Sequence, residues 1–191
     1  MVQKTKMSVT VGVMGSAGEA AGAPEKEALA NRANALALAI AERKLRLLTG
    51  ATTGIVYLVG KTAHDAGVLH VGISPASDRR EHREKYKLPL DACDVIIYTG
   101  FGLKGRNVVL VRSCDIVLFI AGAMGSLNEF TIAHDEGKVV GCLTGTGGVA
   151  DEADYLLNKF SKTTGARVFQ NEDPVKLIDA CLSELENRSA M

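Results

Sequence analysis

The sequence of 191 residues carries 22 lysines and arginines against 22 aspartates and glutamates, so its formal net charge is zero. Without a net positive charge we expect neither nucleic acid nor an anionic membrane as a partner, and any bound anion must be held locally. No apolar run approaches the roughly 20 residues that span a bilayer, and no signal peptide stands at the N-terminus, which predicts a single cytoplasmic domain over residues 1–191.

The first half of the chain alternates apolar strands with helices. Ser8–Met14 is apolar and β-branched enough for a buried strand, and Glu25–Arg43 has alanines and leucines at helical spacing. Strands are also predicted at Leu45–Thr49 and Val68–Ile73, with a helix at Ile55–Ala66 between them. Strands that are apolar on both faces and alternate with helices indicate an α/β fold, with a mostly parallel β-sheet and helices on both faces.

Residues 74–91 interrupt this alternation. Residues 78–85 are dense in charges of both signs, and Pro75 and Pro89 stand on either side of them. This composition favours a solvated loop or a short surface helix over a lid or an arm that contacts a ligand.

The second half of the chain returns to the alternation. The predicted strands are Val95–Tyr98, Ile116–Ala121, Lys138–Leu143 and Arg167–Gln170. The predicted helices are Arg106–Ser113, a segment from Ser126 to Gly137, Asp151–Phe160, and a closing helix from the N-cap Asp173 towards Glu186.

The cysteines and histidines give no sign of a disulfide or a metal site. Cys93, Cys114, Cys142 and Cys181 lie far apart without a C-x-x-C pair, and the four histidines show neither H-x-x-x-H nor H-x-H spacing. The sequence therefore predicts buried free thiols and no protein-held metal.

Four turns stand at the predicted carboxyl ends of strands: Gly15-Ser16, Gly50 to Gly54, Thr99 to Gly102, and Gly122 to Gly125. Ligands of open parallel sheets bind outside those ends, so we expect the turns to converge on one site. Each glycine alone can serve a purely structural turn, but their clustering with hydroxyl groups favours a phosphate site. The candidate phosphate-binding residues are Gly15, Ser16, Gly50, Thr52, Thr53, Gly54, Thr99, Gly122, Gly125 and Ser126.

Two common nucleotide motifs are absent. The first strand–helix turn lacks G-x-G-x-x-G, and the chain lacks G-x-x-x-x-G-K-[ST]. Neither a typical nicotinamide dehydrogenase nor a P-loop NTPase is supported.

The turn after the fifth predicted strand reads Gly122-Ala123-Met124-Gly125-Ser126-Leu127-Asn128-Glu129. It resembles the G-G-x-G-T-x-x-E signature of the LOG (LONELY GUY) family, within the wider group that includes DprA-like Rossmann domains. Met14-Gly15-Ser16 and Gly50 to Ile55 resemble the family's other phosphate turns, and Arg106 lies sixteen residues before Gly122, as the family arginine does. The resemblance covers most of residues 8–160.

This resemblance implies a Rossmann-like fold and a homodimer or higher homo-oligomer. It also implies a nucleotide or another phosphorylated small molecule as the ligand, with no cofactor required. The best-known members are phosphoribohydrolases, which cleave a nucleoside 5'-monophosphate at its N-glycosidic bond, and their catalytic pair corresponds to Arg106 and Glu129. No pyridoxal phosphate site supports the lysine decarboxylase activity with which many relatives are labelled.

A closer branch of the group is indicated by three other segments. Gly105-Arg106-Asn107, Val111 to Asp115 and Thr144-Gly145-Thr146-Gly147-Gly148 resemble the molybdenum cofactor carrier proteins and many uncharacterised bacterial members. This branch implies an alternative to hydrolysis, a non-catalytic carrier or sensor of molybdenum cofactor or of a nucleotide.

Glu129 has two interpretations at this stage. In a hydrolase its carboxylate would stabilise the oxocarbenium-like transition state or orient water, and Arg106 would position the substrate or keep Glu129 ionised. In the structural alternative, Ser126 and Glu129 form a capping box at a helix N-terminus.

Overall fold

The computed structural model describes residues 9–16 and 23–190, and in this part of the chain seven strands form one sheet. The strands are β1 Thr10–Gly15, β2 Arg46–Thr49, β3 His70–Ser74, β4 Val95–Tyr98, β5 Ile116–Ile120, β6 Val139–Leu143 and β7 Arg167–Asn171. Every neighbouring pair is parallel, in the order β4-β3-β2-β1-β5-β6-β7. This confirms the predicted α/β, Rossmann-like fold.

Helices cover both faces of this sheet, as the sequence predicts. They are α1 Ala23–Glu42, α2 Gly54–Asp65, α3 Arg79–Glu84, α4 Gly102–Arg112, α5 Met124–Asp135, α6 Ala153–Lys159 and α7 Pro174–Ser189. Side chains of α1, α2 and α7 join one buried cluster, and those of α4, α5 and α6 join the other.

The central strand β5 shows why its sequence is continuously apolar. Ile116, Leu118 and Ile120 face one buried cluster, whereas Val117 and Phe119 face the other. Each such side chain, fully buried, stabilises the fold by about 1.5–3 kcal/mol relative to an exposed one. A polar residue on either face would lose this contribution.

The order of the strands creates a crevice between β1 and β5. From β1 the chain moves outward through β2 and β3 to β4, then returns to the other side of β1 and continues through β5, β6 and β7. The connections that leave the carboxyl ends of β1 and β5 therefore diverge to opposite faces, and ligands of open parallel sheets bind at such a switch point.

Helices α4 and α5, which follow β4 and β5, begin earlier than the sequence predicts. Helix α4 begins at Gly102 rather than Arg106, and α5 begins at Met124 rather than Ser126. Ala123 is the N-cap of α5, without a side-chain capping bond, and the Leu127 N–H donates to the Ala123 carbonyl at 2.9 Å. The capping-box interpretation of Ser126 and Glu129 is therefore wrong. The other predicted bounds differ from the observed ones by up to three residues.

The charged segment after β3 forms the short surface helix α3. Asp78 caps it by accepting from the Glu81 N–H at 2.8 Å. His82 within it is fully buried, with its Nδ1 2.8 Å from Ser74 Oγ and its Nε2 2.9 Å from the Pro89 carbonyl. A carbonyl only accepts, so Nε2 carries the proton and Nδ1 accepts from the serine. This histidine ties the helix to the sheet.

The described residues show no group of three or more metal-ligating side chains placed to hold an ion. None of the helices described is long and apolar enough to cross a membrane. Cys93 is partly buried and the other three cysteines are buried; all four are free, and burial raises the pKa of each thiol to about 12. In the first predicted turn, Ala17 and Gly18 lie outside the described residues.

Candidate functional site

A cavity of about 320 Å³ lies at the carboxyl edge of the sheet, at the switch point between β1 and β5. Eight of the twelve residues that the sequence singles out line it: Gly15, Ser16, Gly50, Thr52, Arg106, Gly125, Ser126 and Glu129. The first, second and fourth of the predicted turns therefore meet at one place.

The structure does not bring the other four predicted residues into the cavity lining. Thr53 is the N-cap of α2 and Gly54 begins that helix with a φ of +72°. Thr99 points elsewhere, since its hydroxyl donates to the Ser74 carbonyl at 2.7 Å. Gly122 lies directly behind the lining, and its N–H donates to Ser16 Oγ at 3.1 Å, which joins the first turn to the fourth.

The start of α5 supplies the cavity with hydrogen-bond donors. Gly122 has a φ of +111°, and a Cβ at this position would lie 2.8 Å from Ser126 Cβ. Ala123 is extended, so the helix begins at Met124 with its first turn beside the cavity. The first amides of a helix lack intrahelical acceptors, and the helix dipole adds positive potential there. This corner of the cavity therefore favours an anion.

Arg106 brings a buried positive charge into the same cavity. Its side chain is 7% exposed and its Nε has no hydrogen-bond partner among the described residues. The guanidinium packs on Gly50, where a Cβ would lie 1.6 Å from Nη1. Burial lowers the pKa of Arg106, and the nearby Glu129 opposes that shift. A cation buried with so few partners is costly for the free protein unless a ligand supplies an acceptor.

Glu129 lines the same cavity from the second turn of α5. It is 7% exposed, and burial raises its pKa to about 7, although Arg106 and Lys104 act in the opposite direction. With its nitrogen facing the carboxylate, the Asn107 amide donates to Glu129 Oε1 and to the Leu103 carbonyl, both at 3.0 Å. Both partners are acceptors, and this orientation turns the Asn107 oxygen towards Asn128 Oδ1 at 2.8 Å, so the Asn128 amide must turn with it. Glu129 therefore changes its charge near neutral pH.

Seven lining residues were missed as site residues by the sequence analysis: Val13, Met14, Val56, Leu103, Lys104, Asn107 and Ala123. Leu103 and Lys104 were missed because the helix was predicted to begin at Arg106. With the observed start at Gly102, positions 103, 106 and 107 follow the i, i+3, i+4 spacing of one helix face. That spacing was the signal in the sequence that Leu103 and Asn107 lie on the same helix face as Arg106.

The fold and the cavity together define a class of protein, a Rossmann-like domain that offers a helix N-terminus and a buried arginine to an anion at its switch point. The chain belongs to the SLOG cluster4 family, whose model matches residues 8–178. This confirms the predicted relationship to the LOG and DprA-like group.

An uncharacterized protein of Archaeoglobus fulgidus is similar in sequence, at 35% identity over 104 residues. The match covers 54% of this chain and 63% of that protein, so it spans less than two thirds of the relative.

Several solved structures share the whole fold. TM1055 superposes with a TM-score of 0.77 at 25% identity, over 92% of this chain and 99% of that one. The molybdenum cofactor binding protein of Rippkaea orientalis gives 0.74 at 26% identity, and the molybdenum cofactor carrier protein of Chlamydomonas reinhardtii gives 0.70 at 25%. Each of these two matches covers 95% of this chain and 99% of the other.

A more distant likeness is to DNA processing protein A of Helicobacter pylori, which binds single-stranded DNA. It gives a TM-score of 0.60 at 15% identity over 92% of this chain and 81% of that one, which is a likeness of fold alone.

Proposed function

We propose that this protein binds a phosphorylated small molecule, a nucleotide or a molybdopterin-type compound, and carries it unchanged. The observation that carries this proposal is Arg106, a buried guanidinium whose Nε lacks a partner and which lies in the same cavity as the N-terminus of α5. Neither feature stabilises the free protein, and both would stabilise a bound phosphate.

A phosphate monoester matches the donors that the cavity offers. The amides of Gly125 and Ser126 lie in the first turn of α5, and the hydroxyls of Ser16 and Thr52 belong to residues of the same lining. Arg106 would add charge-assisted hydrogen bonds, which are roughly twice as strong as neutral ones. The phosphate would therefore anchor the ligand, and the rest of the molecule would extend towards Leu103 and the mouth of the cavity.

The carrier assignment draws on two neighbours. The Rippkaea orientalis protein is a molybdenum cofactor binding protein and the Chlamydomonas reinhardtii protein is a molybdenum cofactor carrier. A molybdopterin bears a phosphate monoester on a ring system, and the unpartnered Arg106 Nε and the first turn of α5 fit that phosphate. A mononucleotide has the same arrangement, so the cavity suits either ligand.

Binding can be measured with AMP and GMP against adenosine and guanosine, which lack the phosphate. We expect the monophosphates to raise the melting temperature by several degrees at saturation and the nucleosides to leave it unchanged. Native mass spectrometry and pterin fluorescence of gently purified protein test the molybdopterin-type ligand. The proposal fails if no monophosphate binds and no phosphorylated molecule copurifies.

Hydrolysis of a nucleoside 5'-monophosphate is the second candidate, and one observation favours it. Glu129 has a pKa of about 7 in the cavity that also holds Arg106, and perturbed carboxyl groups are common in active sites. If the protein is a hydrolase, chromatography after incubation with AMP will show free adenine, and Glu129→Gln will abolish the release while AMP still binds. A carrier returns the AMP intact in both proteins.

A methyl group at residue 50 tests how the arginine is held. Gly50→Ala is expected to push the Arg106 guanidinium out of its place, because the new Cβ would lie 1.6 Å from Nη1. The flexible side chain can move, so the fold survives, and we expect AMP affinity to fall about 30-fold, the loss of roughly one charge-assisted hydrogen bond. Isothermal titration calorimetry measures this. In an Arg106→Met background, Gly50→Ala should cause no further loss of AMP affinity. An additive loss would show that Gly50→Ala does not act by displacing the Arg106 guanidinium.

The oligomeric state, the cytoplasmic location and the absence of nucleic-acid binding stay predictions. Light scattering after size-exclusion chromatography tests the homodimer.

A further inference from the structure

The loop that follows β6 packs behind the junction between β5 and α5. The Ala121 N–H donates to Thr146 Oγ1 at 2.8 Å, and this hydroxyl donates in turn to the Leu143 carbonyl at 2.5 Å. Two further bonds join the same pieces of chain, because the N–H groups of residues 149 and 150 donate to the carbonyls of residues 122 and 121, each at 3.1 Å. The segment from Thr144 to Ala150 thus holds the turn that precedes α5.

The turn at Ala121 and Gly122 has an unfavourable backbone conformation. Ala121 has a φ of +53°, a left-handed conformation that the Cβ of an alanine disfavours, and Gly122 follows at +111°. Such a conformation persists only where its surroundings determine it. Gly148 allows the loop to approach this closely, since a Cβ there would lie 2.0 Å from the Gly122 carbonyl oxygen.

The loop itself is held from its other side. The Asp151 carboxylate accepts from the N–H groups of Gly145 at 2.7 Å and Gly147 at 2.9 Å, and Arg32 donates to the Gly145 carbonyl at 3.0 Å. The carboxylate occupies the concave side of the glycine turn. The turn therefore acts as a support for the junction.

We infer that Thr146 is a positioning residue, which holds Ala121 and Gly122 so that the first turn of α5 and Ser16 face the ligand. This inference rests on the proposed function of the cavity. Gly122 connects the two parts, because its N–H donates to Ser16 Oγ at 3.1 Å and its backbone sets the direction in which α5 begins. Thr146 lies outside the cavity lining and acts only through this backbone.

The test compares Thr146→Val, which has nearly the same shape without the hydroxyl, with Thr146→Ser, which keeps it. We expect AMP affinity, measured by calorimetry, to fall about ten-fold in the valine variant and to return to within about two-fold of wild type in the serine variant. Asp151→Asn, which weakens the same turn from the other side, should lower the affinity less. Thr164→Val is the matched control, because it removes a hydroxyl that accepts from the Ala166 N–H in a loop that does not contribute to the cavity.

Amide hydrogen exchange without ligand separates this inference from the proposed function. The N–H groups of Gly122 and Leu127 should exchange about ten-fold faster in Thr146→Val than in wild type or Thr164→Val. If wild type binds no monophosphate, the proposed function fails and the exchange rates still decide the positioning role. Unchanged exchange at Gly122 and Leu127 overturns the inference. So does unchanged affinity in a valine variant of a wild type that binds AMP.

Discussion

Replacing Arg106 with methionine is expected to reduce AMP affinity at least 100-fold and to make the ligand-free protein more stable. The affinity falls because the phosphate loses at least two charge-assisted hydrogen bonds, each of about 1.5–3 kcal/mol. The stability rises because the substitution removes a guanidinium that is 7% exposed and whose Nε has no partner among the described residues. Methionine fills a similar volume without a charge to desolvate, and Glu129, which loses its cationic neighbour, can stay protonated in the buried site.

The two effects are measured separately, by calorimetric titration with AMP and by urea unfolding without ligand. Lys104→Met is the matched control, since Lys104 is exposed and lines the same cavity. It removes an equal charge from the rim, and we expect only about a three-fold loss of affinity and little change in stability. If Arg106→Met is less stable than wild type and binds AMP normally, Arg106 is a structural residue and not the anchor of a ligand.

A substitution that weakens ligand binding but stabilises the ligand-free protein distinguishes a functional buried charge from a structural one. A structural arginine gives its hydrogen bonds to the protein, as Arg43 does with two contacts to Asp179 at 2.7 and 2.9 Å. Arg106 makes no comparable hydrogen bond with the described residues, and burial lowers its pKa although the nearby Glu129 acts in the opposite direction. We therefore expect a ligand to complete the site, because a buried cation without such contacts is costly in the free protein.

The fold could be read from the sequence because its pattern is regular. Strands such as Ile116–Ile120 are apolar on both faces, and the glycine turns stand at their ends, which fixes a parallel sheet and the edge that carries the site. The pairing of Arg106 with Gly50 could not be read in the same way. It depends on the approach of α4 to the turn after β2, a tertiary contact that leaves no mark on spacing along the chain.

The helix starts show a second limit of the sequence. Serine is a common N-cap residue, so the sequence suggested that the helix begins at Ser126. The left-handed turn at Ala121 and Gly122 lets the helix begin at Met124 instead, and Ser126 packs against Gly122. A positive φ is unfavourable for an alanine, and the hydrogen bond from the Ala121 N–H to Thr146 Oγ1 helps to hold Ala121 in it. Local propensity was overridden here by contacts from residues about 25 positions away.

The pH dependence of stability should differ between wild type and Glu129→Gln. Burial raises the pKa of Glu129 to about 7 from 4.5, so the folded state holds its proton more tightly than the unfolded state. The resulting stabilisation is fully present below pH 4.5 and is lost as the pH rises through 7. For a side chain that is 7% exposed, the shift corresponds to about 3 kcal/mol.

His70 also makes the folding stability depend on pH, with the opposite sign and over an overlapping range of pH. Burial lowers its pKa from 6.5 to about 4, and its side chain is 1% exposed. Its stabilising contribution is present above pH 6.5 and is lost as the pH falls through 4. Between pH 4.5 and 6.5 the two groups nearly cancel, so these two residues alone give wild type a nearly flat profile.

Glutamine at position 129 resembles the protonated acid at every pH, and the substitution therefore uncovers the contribution of His70. We expect the free energy of unfolding of Glu129→Gln to rise with pH from 4 to 6.5, to equal that of wild type near pH 4.5, and to exceed it by about 3 kcal/mol at pH 8. Urea unfolding at half-unit steps of pH measures both curves, with the exposed Glu152→Gln as the control that should follow wild type. Parallel curves for wild type and Glu129→Gln from pH 4 to 8 would show that Glu129 ionises normally. In that case the carboxyl group is not held in the buried site described above, and its proposed part in either binding or hydrolysis would lose its physical basis.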